Sequence, residues 1–342
     1  MKRAVRILFR IIVSCIIVAI VLTAVIVGLR RYNGRTYPVM QHATAGRDKA
    51  AYPTNAEVRS IQGTYLNGFH FSPPHRSHPG TVVLFGGSEG SAPYADAKKL
   101  ADQGYEVLAL YFFGQPNQRP RMANVPLDQY TEIESYIKTN ITHPTPITVI
   151  GSSRGAEFSA QLASHGFPID NLVNYAPTDR SYPGEFDPRN PRVEYPPFTY
   201  QGMPVPFAGY GHNSSRVMAD FFWDQLTGRP MYLRPMHVEA ASHAESSSAI
   251  RLDSFQGNAV FFAGSQDRMW QSEIAATHLA AQSGRFKVFI FPDAGHVFSE
   301  NIAALGNGWQ ITLGGTAEGS ANALRRSDHI LSECLAEWHG SL

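Results

Sequence analysis

Ile147-Thr-Val-Ile-Gly-Ser-Ser-Arg-Gly155 is the stretch that decides the fold, because an apolar run ends there in a turn flanked by glycines. Residues 147–150 have the composition of a buried strand, and residues 156–164 follow as a helix of small residues. A strand, a G-x-S-x-G turn and a helix in this order predict a nucleophile elbow, whose strained backbone lifts one side chain above the sheet edge. The spacing from both glycines selects Ser153 rather than Ser152 as the nucleophile. The alternative is a helix start that Ser153 merely caps.

Strand-like and helix-like segments alternate on both sides of this turn. Short apolar runs predict further strands at residues 81–85, 106–112, 172–175, 259–263 and 286–291. Helical spacing of apolar residues predicts helices at about residues 92–103, 127–139 and 317–338. This alternation indicates a doubly wound, mainly parallel α/β sheet that helices cover on both faces. With the elbow, it predicts the α/β-hydrolase fold over residues 61–342.

Residues 182–255 interrupt the alternation. They are rich in Pro, Tyr, Phe, His and Ser, and only residues 218–226 show helical periodicity. They lie between two predicted strands, and long loops in compact domains are usually functional. We therefore expect a cap over the carboxyl ends of the strands, where ligands bind in such sheets. A long surface connection is the alternative.

Two residues downstream of the elbow fit the partners that a nucleophilic serine needs. A serine hydroxyl near pH 7 requires a general base, and that base requires an orienting carboxylate. In α/β-hydrolases these residues follow in the order serine, acid, histidine. Asp267 and His296 each come just after a predicted strand, at the sheet edge where Ser153 emerges. They are therefore predicted as orienting acid and general base, with Asp293, on the same loop as His296, as the rival acid.

Backbone N–H groups are predicted to stabilise the oxyanion of the tetrahedral intermediate. The N–H after the nucleophile belongs to Arg154, and a second N–H comes from the loop at residues 86–90, from either Gly87 or Ser88. The Arg154 side chain has two interpretations. It contacts an anionic group of the substrate or, as we prefer, it forms a surface salt bridge or begins the helix.

No metal, cofactor or nucleic-acid partner is predicted. The loop at residues 86–90 lacks the P-loop lysine and the dinucleotide-binding glycine spacing. His70, His75 and His78 lie at irregular spacing without a cysteine or carboxylate cluster, which argues against a metal site. A formal net charge of +1 and the lack of a long basic run argue against nucleic-acid binding.

The amino-terminal region has the pattern of a membrane anchor. Residues 1–10 carry four basic side chains, and the nineteen residues 11–29 carry no charge. A helix of that length rises roughly 28 Å, which matches the hydrocarbon thickness of a bilayer. An uncleaved signal anchor is predicted, with a cleaved signal peptide and a buried core helix as alternatives. The basic residues favour a cytoplasmic amino end, with the rest of the chain outside, and residues 30–60 are predicted as a polar tether.

Several motifs together resemble one known family. They are Leu84-Phe-Gly-Gly-Ser-Glu-Gly90, Gly104-Tyr-Glu-Val-Leu-Ala-Leu-Tyr111, Ile150-Gly-Ser-Ser-Arg-Gly-Ala-Glu157, Gly264-Ser-Gln-Asp-Arg-Met-Trp270 and Ala294-Gly-His296. Over roughly residues 81–338 the chain resembles the catalytic domain of the acyl-CoA thioesterase / bile acid-CoA:amino acid N-acyltransferase family. The resemblance implies that Ser153, Asp267 and His296 act as nucleophile, orienting acid and general base. A serine at the nucleophile position is similar to the hydrolytic branch of that family.

Two features depart from the family pattern. Its animal members carry an amino-terminal β-sandwich domain, which the short stretch between the predicted anchor and the first strand cannot hold. The predicted membrane anchor also stands where that domain would be, and a domain outside the cytoplasm would not meet cytosolic CoA. The expected partner is therefore a small-molecule acyl ester or thioester, with no cofactor. The alternatives are a general carboxylesterase of the dienelactone-hydrolase kind, an acyltransferase, and a non-catalytic, membrane-tethered binding protein.

Overall fold

The computed structural model describes residues 2–38, 45–187, 189–190 and 193–342. Its α-helices are α1 Lys2–Thr36, α2 Tyr94–Asp102, α3 Tyr130–Asn140, α4 Arg154–Ser164, α5 Ser215–Thr227, α6 Arg234–His243, α7 Ser272–Ala280, α8 Trp309–Thr312 and α9 Ala317–His339. Its strands are β1 Val58–Gln62, β2 Asn67–Phe71, β3 Thr81–Phe85, β4 Val107–Leu110, β5 Val125–Pro126, β6 Ile147–Ser152, β7 Asn171–Tyr175, β8 Phe198–Tyr200, β9 Met203–Pro204, β10 Asn258–Gly264 and β11 Phe286–Phe291. Short 3-10 helices lie at Ala45–Arg47, Lys49–Ala51, Leu127–Gln129, Ser246–Ser248 and Ile302–Leu305.

Within the described residues, eight strands form the central sheet in the order β1-β2-β4-β3-β6-β7-β10-β11. The pairs β1–β2 and β2–β4 are antiparallel, and all the other pairs are parallel. The predicted mainly parallel α/β sheet is therefore confirmed. Because β3, β6, β7, β10 and β11 are parallel neighbours, the loops after their carboxyl ends meet at one edge of the sheet.

Helices cover both faces of this sheet, and alternate residues of β3 illustrate the packing. Val83 and Phe85 join the core cluster that contains residues of α3, α4 and α7. Val82 and Leu84 join the cluster that contains residues of α2 and α9. Since both faces of the strand are buried, its sequence is continuously apolar rather than alternating.

The structure differs from the expected boundaries near the amino end. The predicted tether at residues 30–60 is shorter, because α1 continues to Thr36 and β1 already begins at Val58. The antiparallel hairpin of β1 and β2 has no counterpart in the expected strands. Only Val58 and Ile61 of β1 are buried, as fits an edge strand with one polar face, and its apolar pattern is correspondingly weak.

The interruption at residues 182–255 is an ordered insertion within its described part. It contributes β8 and β9, which form a small separate sheet with β5, and the helices α5 and α6. The periodicity at residues 218–226 corresponds to α5.

Helix α1 is long and apolar enough to cross a membrane. Its most apolar 18-residue window has a mean hydropathy of 3.1, and none of that window is buried by the rest of the chain. The helix is therefore a candidate membrane span.

Candidate active site

The turn after β6 has the backbone geometry of a nucleophile elbow. Ser153 has φ 56° and ψ −119°, in the left-handed half of conformational space that L-residues rarely occupy. Its N–H donates to the carbonyl of Tyr175 at the end of β7 (2.9 Å). The strained residue is thus fixed between β6 and α4, with its side chain at the carboxyl edge of the sheet.

Two glycines make this turn possible through close backbone approach. A Cβ at Gly151 would overlap the Gly155 carbonyl group, and a Cβ at Gly155 would overlap the Gly86 carbonyl oxygen. Helix α4 therefore packs directly on β6 and on the loop after β3 without room for a side chain.

The structure brings the three predicted residues into one hydrogen-bonded chain. His296 Nε2 lies 2.8 Å from Ser153 Oγ, and His296 Nδ1 lies 2.8 Å from Asp267 Oδ2. Asp267 and His296 are buried, with exposed fractions of 1% and 7%. Because Nδ1 faces a carboxylate, it carries the ring proton, and Nε2 is then free to accept the proton of the serine hydroxyl.

Asp267 is held by neighbours that the sequence argument did not single out. Ser272 Oγ donates to Oδ2 (2.6 Å), and the N–H groups of Met269 and Trp270 donate to Oδ1 (2.8 and 3.3 Å). The Trp270 ring meets the His296 ring edge-on, with centroids 4.8 Å apart. These contacts fix the orientation of the carboxylate and the imidazole. The motif at residues 264–270 already included Trp270, but nothing in the sequence indicated its contact with His296.

The rival acid Asp293 does not approach the imidazole. Its Oδ1 accepts a hydrogen bond from Gln266 Nε2 (2.7 Å), and its carbonyl accepts one from Thr316 N–H (2.8 Å). Asp293 itself has φ 60° in the turn after β11. The geometry therefore favours Asp267 as the partner of His296.

The loop after β3 lies against Ser153. Its two candidate oxyanion donors, the N–H groups of Gly87 and Ser88, differ in whether they already have an acceptor. A Cβ at Gly87 would lie 3.2 Å from Ser153 Cβ. The Gly87 N–H donates to Glu89 Oε1 (2.8 Å), whereas the Ser88 N–H contacts no acceptor among the described residues. Arg154 is the first residue of α4, so its N–H lacks an intrahelical partner. Of the N–H groups predicted as oxyanion donors, those of Ser88 and Arg154 are thus without an acceptor in the described part of the chain.

The structure corrects one part of the preferred interpretation of the Arg154 side chain. Arg154 begins α4 and forms a salt bridge, but that salt bridge is buried rather than on the surface. Its guanidinium pairs with the fully buried Glu157 (2.5 Å) and donates to the carbonyl of Pro183 (2.7 Å). Burial alone would lower the pKa of Arg154, but the Glu157 carboxylate raises it, so the guanidinium stays charged. The ion pair fastens the start of the insertion to α4, because Glu157 also accepts the Tyr182 N–H (3.3 Å).

A neutral histidine of the insertion, His237, packs beside the predicted site. The His237 ring packs edge-on against Trp270, with centroids 5.5 Å apart. Its Nδ1 donates to the Leu233 carbonyl, and its Nε2 accepts from the Tyr210 hydroxyl, each at 3.1 Å. Burial, together with the nearby Arg154 charge, lowers the pKa of His237 to about 3. All polar atoms of the neutral ring are satisfied, so protonation would disrupt this packing.

We expect His237 to make folding stability depend on pH. Its pKa is depressed in the folded state, so its contribution is complete above the unfolded pKa of about 6.5 and declines as pH falls towards the folded value. The stability advantage of the wild type over His237→Gln should shrink by roughly 1.4 kcal/mol per pH unit below pH 6.5. Urea unfolding of both proteins in detergent between pH 7.5 and 4.5 measures this difference in the free energy of unfolding. A constant difference across that range would contradict the burial of a neutral ring.

A largely apolar cavity of about 740 Å³ contains Ser153 and His296. Its apolar lining comprises Leu84, Phe85, Leu100, Ile150, Met269, Val297, Phe298, Leu305, Leu313, Leu324 and Leu331. These residues come from the sheet edge, α2, α9 and the segment at residues 297–313. The described part of residues 182–255 contributes none of the lining, so the expected cap does not cover this cavity. The ion pair of Arg154 instead holds the start of the insertion against α4.

The fold is that of an α/β-hydrolase. An esterase from Pyrococcus furiosus has the same fold, with a TM-score of 0.50 and 15% identity over 83% of this chain and 92% of that one. The α/β-hydrolase fold predicted from the sequence is therefore confirmed.

Curated relatives extend the comparison to the sequence level. No family model matches the chain. Acyl-coenzyme A thioesterase 1 of Homo sapiens is 23% identical over 256 residues, which cover 71% of this chain and 55% of the relative. Acyl-coenzyme A amino acid N-acyltransferase 1 of Mus musculus is 23% identical over 264 residues, which cover 74% and 57%. The resemblance to this group is thus confirmed, although the chain spans about half the length of the curated relatives it matches.

Proposed function

We propose that the protein is a serine hydrolase that cleaves an ester or thioester of a small acyl substrate through an acyl-Ser153 intermediate. The observation that carries this proposal is the hydrogen-bonded chain from Ser153 through His296 to Asp267, on a strained elbow. A serine hydroxyl so placed loses its proton to the imidazole as it attacks a carbonyl. The similarity to thioesterases supports the same reaction class.

The reaction runs in two halves. Ser153 Oγ attacks the acyl carbon while His296 Nε2 takes its proton, and Asp267 stabilises the resulting imidazolium. The N–H groups of Arg154 and Ser88 hold the oxyanion; Gly87 can serve only after the Glu89 carboxylate leaves its N–H. Collapse expels the alcohol or thiol, which receives the proton from His296. A water then attacks the acyl-serine while His296 takes its proton, and His296 returns that proton to Ser153 Oγ as the bond to the acyl group breaks and the acid leaves.

The apolar lining supports an acyl chain as the group bound beside Ser153. Each buried methylene contributes about 0.8 kcal/mol, or roughly a fourfold gain. We therefore expect kcat/KM for nitrophenyl esters to rise by roughly fourfold per added CH₂ from the acetyl ester upward, until the cavity is full. Steady-state assays of the purified full chain measure the series.

A matched variant tests whether this cavity is responsible. Leu331→Trp places a larger side chain in the lining and should lower the rates on longer esters while sparing the acetyl ester. Rates that do not depend on chain length would argue against an acyl-binding cavity. The same acyl groups presented as CoA thioesters distinguish a thioesterase from a general carboxylesterase. Added amine acceptors test acyl transfer, which the similarity to an N-acyltransferase favours as the second function.

The anchor and its orientation belong to the same proposal. We propose that α1 spans a membrane as an uncleaved anchor and that the hydrolase domain lies on the non-cytoplasmic side. The support is the apolar helix itself and the four basic residues that precede the span. Retention in membranes after alkaline carbonate extraction tests the anchor, and a carboxyl-terminal reporter that works only outside the cytoplasm tests the orientation.

A further inference from the structure

Helix α5 carries its exposed apolar side chains on a single face. Ala219, Phe222, Trp223 and Leu226 lie at i, i+3, i+4 and i+7, so they form one stripe along the helix. Phe222, Trp223 and Leu226 are 57%, 50% and 45% exposed. We call these four residues the α5 stripe. Contiguous exposed apolar surface of this kind marks an interaction site.

The α5 stripe lies next to the end of the candidate membrane span, because α5 packs against α1. Asn33 is buried at this contact, and its Nδ2 donates to the carbonyl of Thr227, the last residue of α5 (3.0 Å). Leu29, one turn earlier on the same face of α1, is half-buried. The two helices are thus joined by a polar contact and by packing, not by a flexible linker.

This contact sets the depth of the carboxyl end of α5, where Leu226 of the α5 stripe lies. Asn33 lies four residues beyond the apolar segment 11–29, which is about 6 Å along a helix. The headgroup layer on each side of the hydrocarbon is of the same thickness, roughly 5–7 Å. The end of α5 therefore lies at the level of the headgroups if α1 spans a bilayer.

The chemistry of this region fits a lipid surface. Tryptophan is enriched where a protein meets the headgroup layer, and interfacial helices bury Trp, Phe and Leu there. Arg30, Arg31 and Arg35 follow the span and are at the height of the headgroup phosphates, which their guanidinium groups can bind. Tyr232, beyond the end of α5, is also 47% exposed.

We propose that the α5 stripe is a membrane-docking surface that inserts into the interfacial layer of the bilayer beside α1. The proposal rests on the proposed anchor, because the depth of α5 follows from α1. One wall of the cavity also lies near the end of α1. Asn307 donates to the carbonyl of Thr36 (3.2 Å), and Leu305, in the same segment as Asn307, lines the cavity. Docking would hold the domain in one orientation, with that wall near the lipid surface.

Quenching of tryptophan fluorescence by brominated lipid tests the docking. The full chain is reconstituted in phosphatidylcholine vesicles with and without bromine near the headgroup end of the acyl chains. The difference in emission between the wild type and Trp223→Phe is the contribution of Trp223. We expect brominated lipid to quench most of this contribution. Trp338→Phe is the matched control, because Trp338 lies on α9 away from the α5 stripe; the wild-type quenching should persist in it.

The outcomes separate this proposal from the anchor. If alkaline carbonate releases the chain, α1 does not span the membrane, and both proposals fall. If the chain is retained but Trp223 emission is equally strong in both lipids, only the docking proposal falls. If each nanodisc holds two chains and brominated lipid does not quench Trp223, the α5 stripe is a contact between copies of the chain. That result would overturn the docking proposal. Retention together with quenched Trp223 is the expected result.

Discussion

Replacement of Ser153 by alanine is expected to lower kcat/KM by roughly 10⁴-fold or more, about 5.5 kcal/mol of transition-state stabilisation. The oxygen that attacks the acyl carbon is lost, and His296 has no hydroxyl to deprotonate. The fold should persist, because the Ser153 side chain contributes only its hydrogen bond to His296. Hydrolysis of a nitrophenyl ester by the purified variant measures the loss.

Ser152 supplies the matched control for this substitution. Its side chain lines the same cavity but forms no hydrogen bond with His296. Ser152→Ala should therefore keep most of the activity, and both variants should melt at the temperature of the wild type. Comparable losses in the two variants would mean that Ser153 is not the nucleophile.

The substitution Glu157→Ala is expected to lower the free energy of unfolding by about 3–5 kcal/mol, because it leaves the buried Arg154 guanidinium without a counter-charge. Removal of both charges in Arg154→Met/Glu157→Leu should restore much of the stability, since well-packed apolar pairs often replace buried ion pairs at little cost. Urea unfolding in detergent measures all the variants.

An exposed pair provides the comparison for this buried one. Lys138 and Glu134 pair on the surface of α3, so Glu134→Ala should change stability by about 0.5 kcal/mol or less. If Glu157→Ala is as mild as Glu134→Ala, the ion pair does not hold the insertion to α4. The activity of Glu157→Ala would then also remain unchanged.

The sequence permitted prediction of the parts of the fold that follow local rules. Strand β3 is apolar on both faces and is followed by glycines, so its position was predictable, as were those of β6, β10 and β11. The proximity of Asp267 and His296 to Ser153 was predictable because each follows a strand of one parallel sheet. Parallel strands end at the same edge of a sheet, so residues that directly follow such strands lie close together in space.

The features that the sequence did not predict depend on contacts between segments that are distant in the chain. Strand β2 is fully buried although it contains His70, because Glu106 (2.6 Å) and Tyr136 (2.8 Å) satisfy that imidazole. The burial of Arg154 likewise depends on residues 182–183, and the outward-facing α5 stripe depends on α1. No local pattern contains such partners, and therefore none of these features was predictable.

Covalent labelling with a fluorophosphonate probe tests the central proposal most directly, because the probe reacts only with an activated serine. Peptide mass spectrometry of the labelled full chain should find the adduct on Ser153, with no label on Ser153→Ala and a slower reaction of Asp267→Asn. Labelling that is absent from the folded wild type, or that persists in Ser153→Ala, would contradict the assignment of Ser153 as the nucleophile.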